Sequence, residues 1–481
     1  MSAMESWSWP PRYDNSYRPP PHSRYWFTVR ETMPADERDQ AIVQRLREVC
    51  DYAYNHCAFY RDKWDQAAFH PSQVRSLEDF ERRCPVVTKA DLRQAQHRAP
   101  PFGDYLCIAD DDIHHIHGTS GTTGRPTAFA IGRDDWQAIA NAHARVMWGM
   151  GIRPGDIVFV AAIFSLYMGS WGALCGAERL GAKAFPFGAG APGMSSRAVQ
   201  WLGMMKPQAF YGTPSYALYL AETAAKEGFN AADFGLERMF FSGEPGASVA
   251  GVRERIIDAY QAQVFDCGSM AEMSPFMNVA ASAESSTGML CWQDICYTEV
   301  CDPKTFERVP YGQRGTPVYT HLERTSQPMI RLVSGDLALW SNEPTACGRT
   351  YPSLPQGIFG RIDDMITIRG ENVYPSEIDA ALSRLPDYGG EHRIVVSRAG
   401  HMDELLLQVE TNAALSAQGP AAMEAFRLQV AASVQTLLGL RTMVEVLPPG
   451  TYPRTDFKAR RVIDDRDVFK QMTQRLHSAG A

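Results

Sequence analysis

The stretch HGTSGTTGRPT, at residues 117–127, carries the residue types best suited to chemistry in this chain. Glycine recurs every three residues, at Gly118, Gly121 and Gly124, and hydroxyl side chains stand between the glycines. Glycines let backbone N–H groups converge on one point and hydroxyls add donors, so such a loop can surround the oxygens of a polyphosphate. An Arg-Pro pair follows the last glycine, whereas a Walker loop ends in Gly-Lys-Ser/Thr and the dinucleotide fingerprint spaces its glycines differently. The sequence predicts a phosphate loop of another kind, and a flexible surface linker is the alternative.

The elements that must hold this loop alternate between strands and helices. Apolar runs bounded by turn residues, such as DIVFVAAIF at 156–164, predict buried parallel strands, and the pattern at 133–150 predicts an amphipathic helix. From about residue 290, strands follow one another without long helices, which predicts a small β-barrel-like section. We therefore expect an α/β fold, with a large N-terminal domain of mostly parallel sheets flanked by helices and a small α+β C-terminal domain.

The domain bounds follow from the change in pattern near residue 360. Residues 1–35 are rich in proline and aromatic residues and are expected to form an irregular arm on the surface. Residues 36–360 are expected to form the large domain, and residues 361–481 the small one.

The composition excludes several classes of protein. The chain has 481 residues, 45% hydrophobic and 21% charged, with a net charge of −8. No basic stripe suggests a nucleic-acid partner. No apolar run reaches the roughly 18 residues of a membrane span, and the N-terminus lacks the features of a secretory signal. We expect a cytoplasmic protein whose ten cysteines are free thiols.

The loop 120–127 closely resembles the phosphate loop of adenylate-forming enzymes, which usually have Lys where this chain has Arg125. Other blocks, collinear over about 45–464, resemble phenylacetate–coenzyme A ligases. These blocks are YRDKW (60–64), VVTKADLR (86–93), GAERLGA (176–182), GTPSYAL (212–218), GEP (243–245), CWQDICYTEVCDP (291–303), PMIRLVSGDL (328–337), GRIDDMITIRGENVYPSEID (360–379) and PRTDFKARRVID (453–464). On these blocks the chain is identified as a member of the phenylacetate–coenzyme A ligase-like branch.

The resemblance implies a reaction in two steps. A carboxylate attacks the α-phosphate of ATP, which gives an acyl-adenylate and pyrophosphate, and the thiol of coenzyme A then attacks the activated carbonyl. ATP, Mg²⁺ and coenzyme A are the implied cofactors, and 361–481 becomes a mobile domain that closes on the adenylation domain 36–360. Two alternatives remain open: a different acceptor, such as carrier-protein phosphopantetheine or an amine, and a non-catalytic ligand-binding homologue. A homodimer is also left open.

The resemblance assigns site residues by position. The residues that hold the triphosphate are Ser120, Gly121, Thr122, Thr123, Gly124 and Arg125. The residues that bind the nucleotide are Ser242, Gly243, Glu244, Pro245, Asp266, Asp336 and Arg361. Asp336 accepts the ribose hydroxyls with Arg361 as its basic companion, and Asp294 is a site-wall or structural residue. For Asp336 and Arg361, a structural salt bridge is the alternative.

The magnesium ligand implied by the resemblance is Glu272, which Mg²⁺ would share with phosphate oxygens and waters. The block around it departs from the family, because Gly268-Ser269 stands where a Tyr-Gly pair is usual and Ala271 replaces Ser or Thr. The positioning of the acid is therefore in question, and a solvated charge is the alternative for Glu272.

The small domain contributes three implied residues. Lys458 enters the site and stabilises the charge that develops during adenylation. Asp363 is the hinge about which the domain rotates, and Gly370 leaves room for the pantetheine arm of coenzyme A. A surface lysine and a turn glycine are the alternatives for Lys458 and Gly370.

The acyl pocket is expected to be aromatic. The matching residues are Phe164, Tyr167, Met168, Gly169 and Trp171, with Tyr211, Tyr216 and Gly268 as further candidates. Aromatic and small residues together suit a flat ring, so we expect an aromatic carboxylic acid, although core packing explains most of these residues equally well.

Two further clusters draw attention. His114, His115 and His117 directly precede the phosphate loop; His115 and His117 share a face if this segment is a strand, and His117 is placed to touch substrate. A two-histidine metal site is the alternative to ordinary buried histidines there. Cys291, Cys296 and Cys301 recur every five residues, which is not the spacing of a zinc ribbon or finger. A zinc site that uses Cys291 and Cys301 on one strand face is the alternative there.

Overall fold

The computed structural model describes residues 9–119, 127–166, 168–189, 193–244, 246–268, 270–273, 279–362, 366–368, 371–399, 402–438, 442–452 and 461–464. Within these ranges the α-helices are α1 (Thr28–Glu31), α2 (Ala35–His56), α3 (Ala58–Gln66), α4 (Leu77–Arg83), α5 (Lys89–Arg98), α6 (Arg133–Gly149), α7 (Met168–Leu180), α8 (Met194–Met205), α9 (Pro214–Lys226), α10 (Ala250–Tyr260), α11 (Pro375–Ser383), α12 (Ala413–Ser416) and α13 (Pro420–Leu438). None of the described helices is both long and apolar enough to cross a membrane.

The strands of the larger part of the chain are β1 (Ile113–Gly118), β2 (Ala128–Gly132), β3 (Ile157–Val160), β4 (Lys183–Phe185), β5 (Ala209–Gly212), β6 (Arg238–Phe241), β7 (Gln263–Gly268), β8 (Val279–Ser282), β9 (Ser285–Cys291), β10 (Cys296–Cys301), β11 (Arg314–His321), β12 (Leu332–Val333), β13 (Asp336–Leu339), β14 (Ser353–Leu354) and β15 (Ile358–Arg361). Those that follow are β16 (Ile366–Ile368), β17 (Glu371–Val373), β18 (Tyr388–Ala399), β19 (Met402–Thr411), β20 (Met443–Leu447) and β21 (Val462–Asp464).

The central sheet has the order β14-β9-β8-β7-β6-β5-β3-β4. From β7 to β4 all neighbours are parallel, whereas β8, β9 and β14 pair antiparallel. All four residues of β5 are buried, because helices cover both faces of a parallel sheet and its strands then read as continuous apolar runs. The predicted α/β class, with mostly parallel strands flanked by helices, is confirmed.

Two smaller sheets complete the large part. Strands β10, β11, β13 and β15 form an antiparallel sheet, with β12 beside β11, in the section predicted to be barrel-like. Strands β1 and β2 form an antiparallel pair that leads into and out of the predicted phosphate loop. Its two sides meet where the amide of Thr119 donates to the carbonyl of Thr127 at 3.0 Å.

The C-terminal section has its own sheet and core. Its sheet has the order β20-β19-β18-β21, and α11 and α13 supply apolar residues such as Ile378, Leu382 and Phe426 to a buried cluster with Ile394 and Val409. This is the small α+β unit that the sequence predicts, while the boundary at 360 stays a prediction.

The N-terminal arm is anchored by a buried ionic network. Glu31, at the end of α1, pairs with Arg145 at 3.0 Å and with Arg349 at 2.8 Å. Asp294 pairs with Arg145 at 2.7 Å and with Arg30 at 2.6 Å. Burial opposes ionisation of Asp294, but the two guanidinium groups outweigh it and hold its pKa below the ordinary value. Asp294 thus has a structural environment, and the end of the arm packs inside the protein.

Candidate active site

Five of the predicted nucleotide residues line one cleft at an edge of the central sheet. Parallel strands bring their carboxyl ends to the same edge, where ligands of such sheets usually bind. The loops after β3, β5, β6 and β7 open there. One cleft at this edge is lined by Gly243, Glu244, Asp266, Cys267, Gly268, Met270, Met289, Asp336, Ile358, Gly360 and Arg361. Residues far apart in sequence therefore meet in the cleft where the resemblance places the nucleotide.

The Asp336–Arg361 pair faces this cleft from the antiparallel sheet. The two residues are direct partners in the pairing of β13 with β15, so the strand register places their side chains together. Arg361 donates to Asp336 at 3.1 Å. Asp336 is buried, whereas the arginine side chain is 32% exposed. A pair this open to water contributes little to stability, about 0–1 kcal/mol. The geometry fits both a ribose-binding role and a structural ion pair, and the ribose role stays a prediction.

Hydrogen bonds to neighbouring residues fix the turn that follows β6. The hydroxyl groups of Tyr211 and Ser242 lie 2.6 Å apart, and both residues are buried. Glu244 accepts hydrogen bonds from the backbone amide of Ser215, at 2.7 Å, and from its hydroxyl. Gly243 has φ of +93°, a left-handed conformation that favours glycine. Glu244 is thus anchored to the start of α9, which fixes the turn that lines the cleft.

Asp266 closes the floor of the cleft near the end of β7. It is 3% exposed. Burial raises the pKa of its carboxyl group to about 6, although hydrogen bonds from Ser248 and Cys267 act in the opposite direction. This carboxyl therefore changes charge close to physiological pH.

Glu272, the predicted magnesium ligand, is buried and its Oε1 lies 3.8 Å from Nζ of Lys89. A hydrogen-bonded box between Thr88 and Asp91 caps α5 and sets Lys89 in its first turn. No group of three or more His, Cys, Asp or Glu able to hold a metal occurs among the described residues. A single buried carboxylate fits Mg²⁺ that takes its other oxygens from phosphates and water. The metal role stays a prediction.

The predicted acyl residues that the structure describes fall in three places, and one of them, Gly268, lines the cleft described above. Phe164 and Trp171 pack edge to face at 5.3 Å, and the indole of Trp171 donates to the carbonyl of Ser165 at 2.8 Å. Met168 and Gly169 are buried in the first turn of α7 beside them. The remaining two tyrosines belong to core clusters of the central sheet and its helices, namely Tyr211 and Tyr216.

The histidine cluster lies next to this junction. The ring of His115 stacks on Trp136 at 3.7 Å, and His117 is parallel to the same indole at 6.1 Å. His117 also meets Trp171 edge to face at 6.4 Å. These two histidines therefore share one face of β1, as alternation predicts. Elsewhere, the three regularly spaced cysteines are buried, and burial raises the pKa of each thiol; they are Cys291, Cys296 and Cys301.

Several predicted site residues lie outside the described residues, and their roles stay predictions. They are Ser120, Gly121, Thr122, Thr123, Gly124, Arg125, Tyr167, Pro245, Asp363, Gly370 and Lys458. Sequence reasoning also missed two neighbours of the site, Lys89 and Trp136. No spacing signal could have found them, because each meets its partner only through the fold.

Comparison with known proteins gives a consistent family. The model described as AMP-binding enzyme matches residues 43–319, and the model described as AMP-binding enzyme C-terminal domain matches residues 370–466. Phenylacetate–coenzyme A ligase of Thermus thermophilus is 32% identical over 449 residues, which cover 91% of this chain and 98% of that protein. The Escherichia coli enzyme of the same name is 30% identical over 443 residues, 91% and 97% of the two chains.

Solved structures resemble the chain over nearly its whole length. 2-Hydroxyisobutyryl-CoA ligase is 68% identical, over 98% of this chain and 99% of that one, with a TM-score of 0.94 to its postadenylation state in complex with 2-HIB-AMP. The TM-score falls to 0.75 for the same enzyme with 2-HIB-AMP and CoA in the thioesterification state. The domain arrangement described here is therefore closer to the first state than to the second. The chain belongs to the AMP-binding enzymes and is an adenylate-forming CoA ligase of the phenylacetate–coenzyme A ligase family.

Proposed function

We propose that this enzyme activates a small, branched 2-hydroxy acid of the 2-hydroxyisobutyrate type and transfers it to coenzyme A. The observation that carries the proposal is the 68% identity to 2-hydroxyisobutyryl-CoA ligase over 98% of the chain. Identity to the phenylacetate–coenzyme A ligases is 30–32% over 91% of the chain. This difference in sequence identity favours a small 2-hydroxy acid over an aromatic acid as the substrate.

The packing beyond β3 supports a small acyl group. Phe164 and Trp171 contact each other edge to face, and His117 in turn lies against Trp171. Rings that pack on one another fill space that a flat aromatic substrate would need, so this wall suits a compact acid. The aromatic acid expected from the sequence is the second candidate, because the same rings can also stack on a phenyl group.

In the first half-reaction the residues of the cleft would orient ATP. Asp336, supported by Arg361, would accept the ribose hydroxyls, and the turn at Gly243 and Glu244 would line the adenine side. The loop 120–125 would donate to the triphosphate. Mg²⁺, shared with Glu272 when bound, would offset the charge of the departing pyrophosphate. Lys458 would stabilise the charge at the α-phosphate.

In the second half-reaction the small domain would turn away from its adenylation position, about Asp363. This movement would withdraw Lys458 and bring Gly370 to the path of the pantetheine arm. Coenzyme A is the proposed acceptor in preference to a carrier protein.

The test is a panel of acids measured with the same enzyme preparation. We expect the highest kcat/KM for CoA-thioester formation with 2-hydroxyisobutyrate, and lower values with lactate, isobutyrate, pivalate, benzoate and phenylacetate. A higher kcat/KM for phenylacetate or benzoate than for 2-hydroxyisobutyrate would replace the small hydroxy acid with the aromatic one.

A further inference from the structure

Arg461 lies in a cavity between the small domain and helices α9 and α10 of the large domain. The large domain contributes Arg255 to the lining of this cavity, and the small domain contributes Asp379, Glu391 and Arg461. The two domains are in close contact here, because a side chain at Gly390 would begin 3.0 Å from both terminal guanidinium nitrogens of Arg255. A rotation of the small domain would have to separate these groups.

The Arg461 side chain is fixed to the small domain by two carboxylates. Its Nη1 lies 3.5 Å from Oδ1 of Asp379 on α11, and its Nε lies 3.4 Å from Oε2 of Glu391 on β18. The backbone carbonyl of Arg461 accepts a hydrogen bond from the amide of Ile394 at 2.8 Å, where β21 pairs with β18. The guanidinium group therefore moves with the small domain as one unit.

The turn after β6 connects this cavity to the nucleotide cleft. Gly243 and Glu244 line the cleft, whereas Gly246, two residues after Glu244, lines the cavity that holds Arg461. Ser215 lines the same cavity and donates its amide to Glu244 at 2.7 Å. One turn of the chain thus borders the candidate active site on one side and the domain interface on the other.

Carboxylates on both sides of the interface act on Arg461. Burial lowers the pKa of Arg461, but the surrounding carboxylates outweigh burial and hold this pKa above its ordinary value. They are Asp379 and Glu391 of the small domain and Glu244 of the large domain. The arginine side chain is 25% exposed, so water and salt screen these attractions only in part. The attraction to Glu244 exists in the arrangement described here and is lost when the small domain turns away.

We propose that Arg461 is a positioning residue for adenylation, because its attraction to Glu244 favours the domain arrangement described here over the one that thioester formation requires. The inference rests on the moving small domain of the proposed function, but not on which acid is activated. Loss of this attraction should slow adenylation and leave thioester formation from preformed adenylate at least as fast as before.

The test compares the two half-reactions, with the acid that gives the fastest exchange. The quantity measured is the rate of pyrophosphate exchange into ATP divided by the rate of thioester formation from preformed adenylate. In Arg461→Gln we expect this ratio to fall about fivefold. Arg461→Lys keeps the charge and should retain most of the ratio. Arg427→Gln, which breaks a partly exposed ion pair with Glu424 within α13, is the control and should leave the ratio unchanged.

A second background tests whether Arg461 acts through Glu244. Glu244→Gln alters the nucleotide cleft, so the effect of Arg461→Gln is measured within that background. There the ratio should change by less than about twofold, because the partner charge is already absent. A fivefold fall in both backgrounds would mean that Arg461 does not act through Glu244, and it would overturn the inference.

The outcomes also separate the inference from the proposed function. Equal losses in the two half-reactions for Arg461→Gln, or no change in either, would overturn the positioning role. Lys458→Ala, measured beside it, distinguishes the two failures. If Lys458→Ala slows adenylation alone, the moving domain stands and only the inference falls. If both variants slow the two half-reactions equally, the moving domain of the proposed function fails as well.

Discussion

Replacing Asp266 with asparagine should stabilise the protein above pH 6 and have little effect near pH 4. The folded state holds a proton on this carboxyl up to about pH 6, whereas the unfolded chain releases it near the ordinary pKa of 3.8. Stability therefore falls as pH rises from about 4 to 6, because the folded state binds more protons than the unfolded state in that window. Above pH 6 the decrease in the free energy of unfolding that this carboxyl causes is complete and no longer changes with pH.

The size of the effect follows from the shift in pKa. The rise from 3.8 to about 6 corresponds to roughly 3 kcal/mol, at about 1.4 kcal/mol for each pH unit. Asparagine has the shape of aspartate and carries no charge, so Asp266→Asn removes this loss. The amide offers only one oxygen to the donors that now meet the carboxylate, which makes about 3 kcal/mol an upper bound for the gain.

The assay is the difference in Tm between variant and unaltered enzyme, measured from pH 4.5 to pH 8 at constant ionic strength. We expect a positive difference at pH 8 that shrinks steadily below pH 6. Asp302→Asn is the control of opposite sign, because the backbone amides of Thr305 and Lys304 hold the pKa of this exposed carboxylate below its ordinary value. A difference for Asp266→Asn that does not change with pH would refute the reasoning.

Three further predictions concern the domains and the nucleotide. A side chain at Gly251 would begin 2.2 Å from a backbone oxygen of α11, so Gly251→Val should separate the two domains and increase the radius of gyration measured by small-angle scattering. Gly203→Val is the control, because its side chain meets the movable ring of Phe229 within the large domain, and it should leave the radius of gyration unchanged. An unchanged radius of gyration for Gly251→Val would contradict the expected contact. Lys458→Ala should slow pyrophosphate exchange roughly 100-fold and spare thioester formation from preformed adenylate. Equal losses in the two half-reactions would argue against the moving domain. Arg361→Ala should raise KM for ATP about tenfold without changing KM for the acid. Arg314→Ala, which breaks a half-exposed ion pair between β11 and Glu377 of α11, should change neither.

Much of the fold was predictable because it depends on local patterns. The strands β3, β5 and β6 are short apolar runs between turn residues, and burial on both faces makes such runs visible in the sequence. The cleft residues Asp336 and Arg361 were found through collinear blocks of residues. Periodicity alone would not have placed them opposite each other.

Other features depend on contacts between distant segments. Glu31 meets Arg145 and Arg349 only after the arm folds back, and no spacing in the sequence indicates these pairs. Lys89 reaches Glu272 across a similar distance in sequence. The identity of the acid substrate was the least predictable feature. The residue types of Phe164 and Trp171 suggest a pocket for an aromatic ring, whereas in the structure these two side chains pack against each other. A homodimer stays a prediction.

The most direct test of the proposed substrate is a competition in one tube. Equal concentrations of 2-hydroxyisobutyrate and phenylacetate compete for limiting ATP in the presence of coenzyme A, and mass spectrometry measures the two CoA thioesters. The ratio of products equals the ratio of the two kcat/KM values, independent of the amount of active enzyme. The proposed function predicts an excess of 2-hydroxyisobutyryl-CoA. An excess of phenylacetyl-CoA would contradict it.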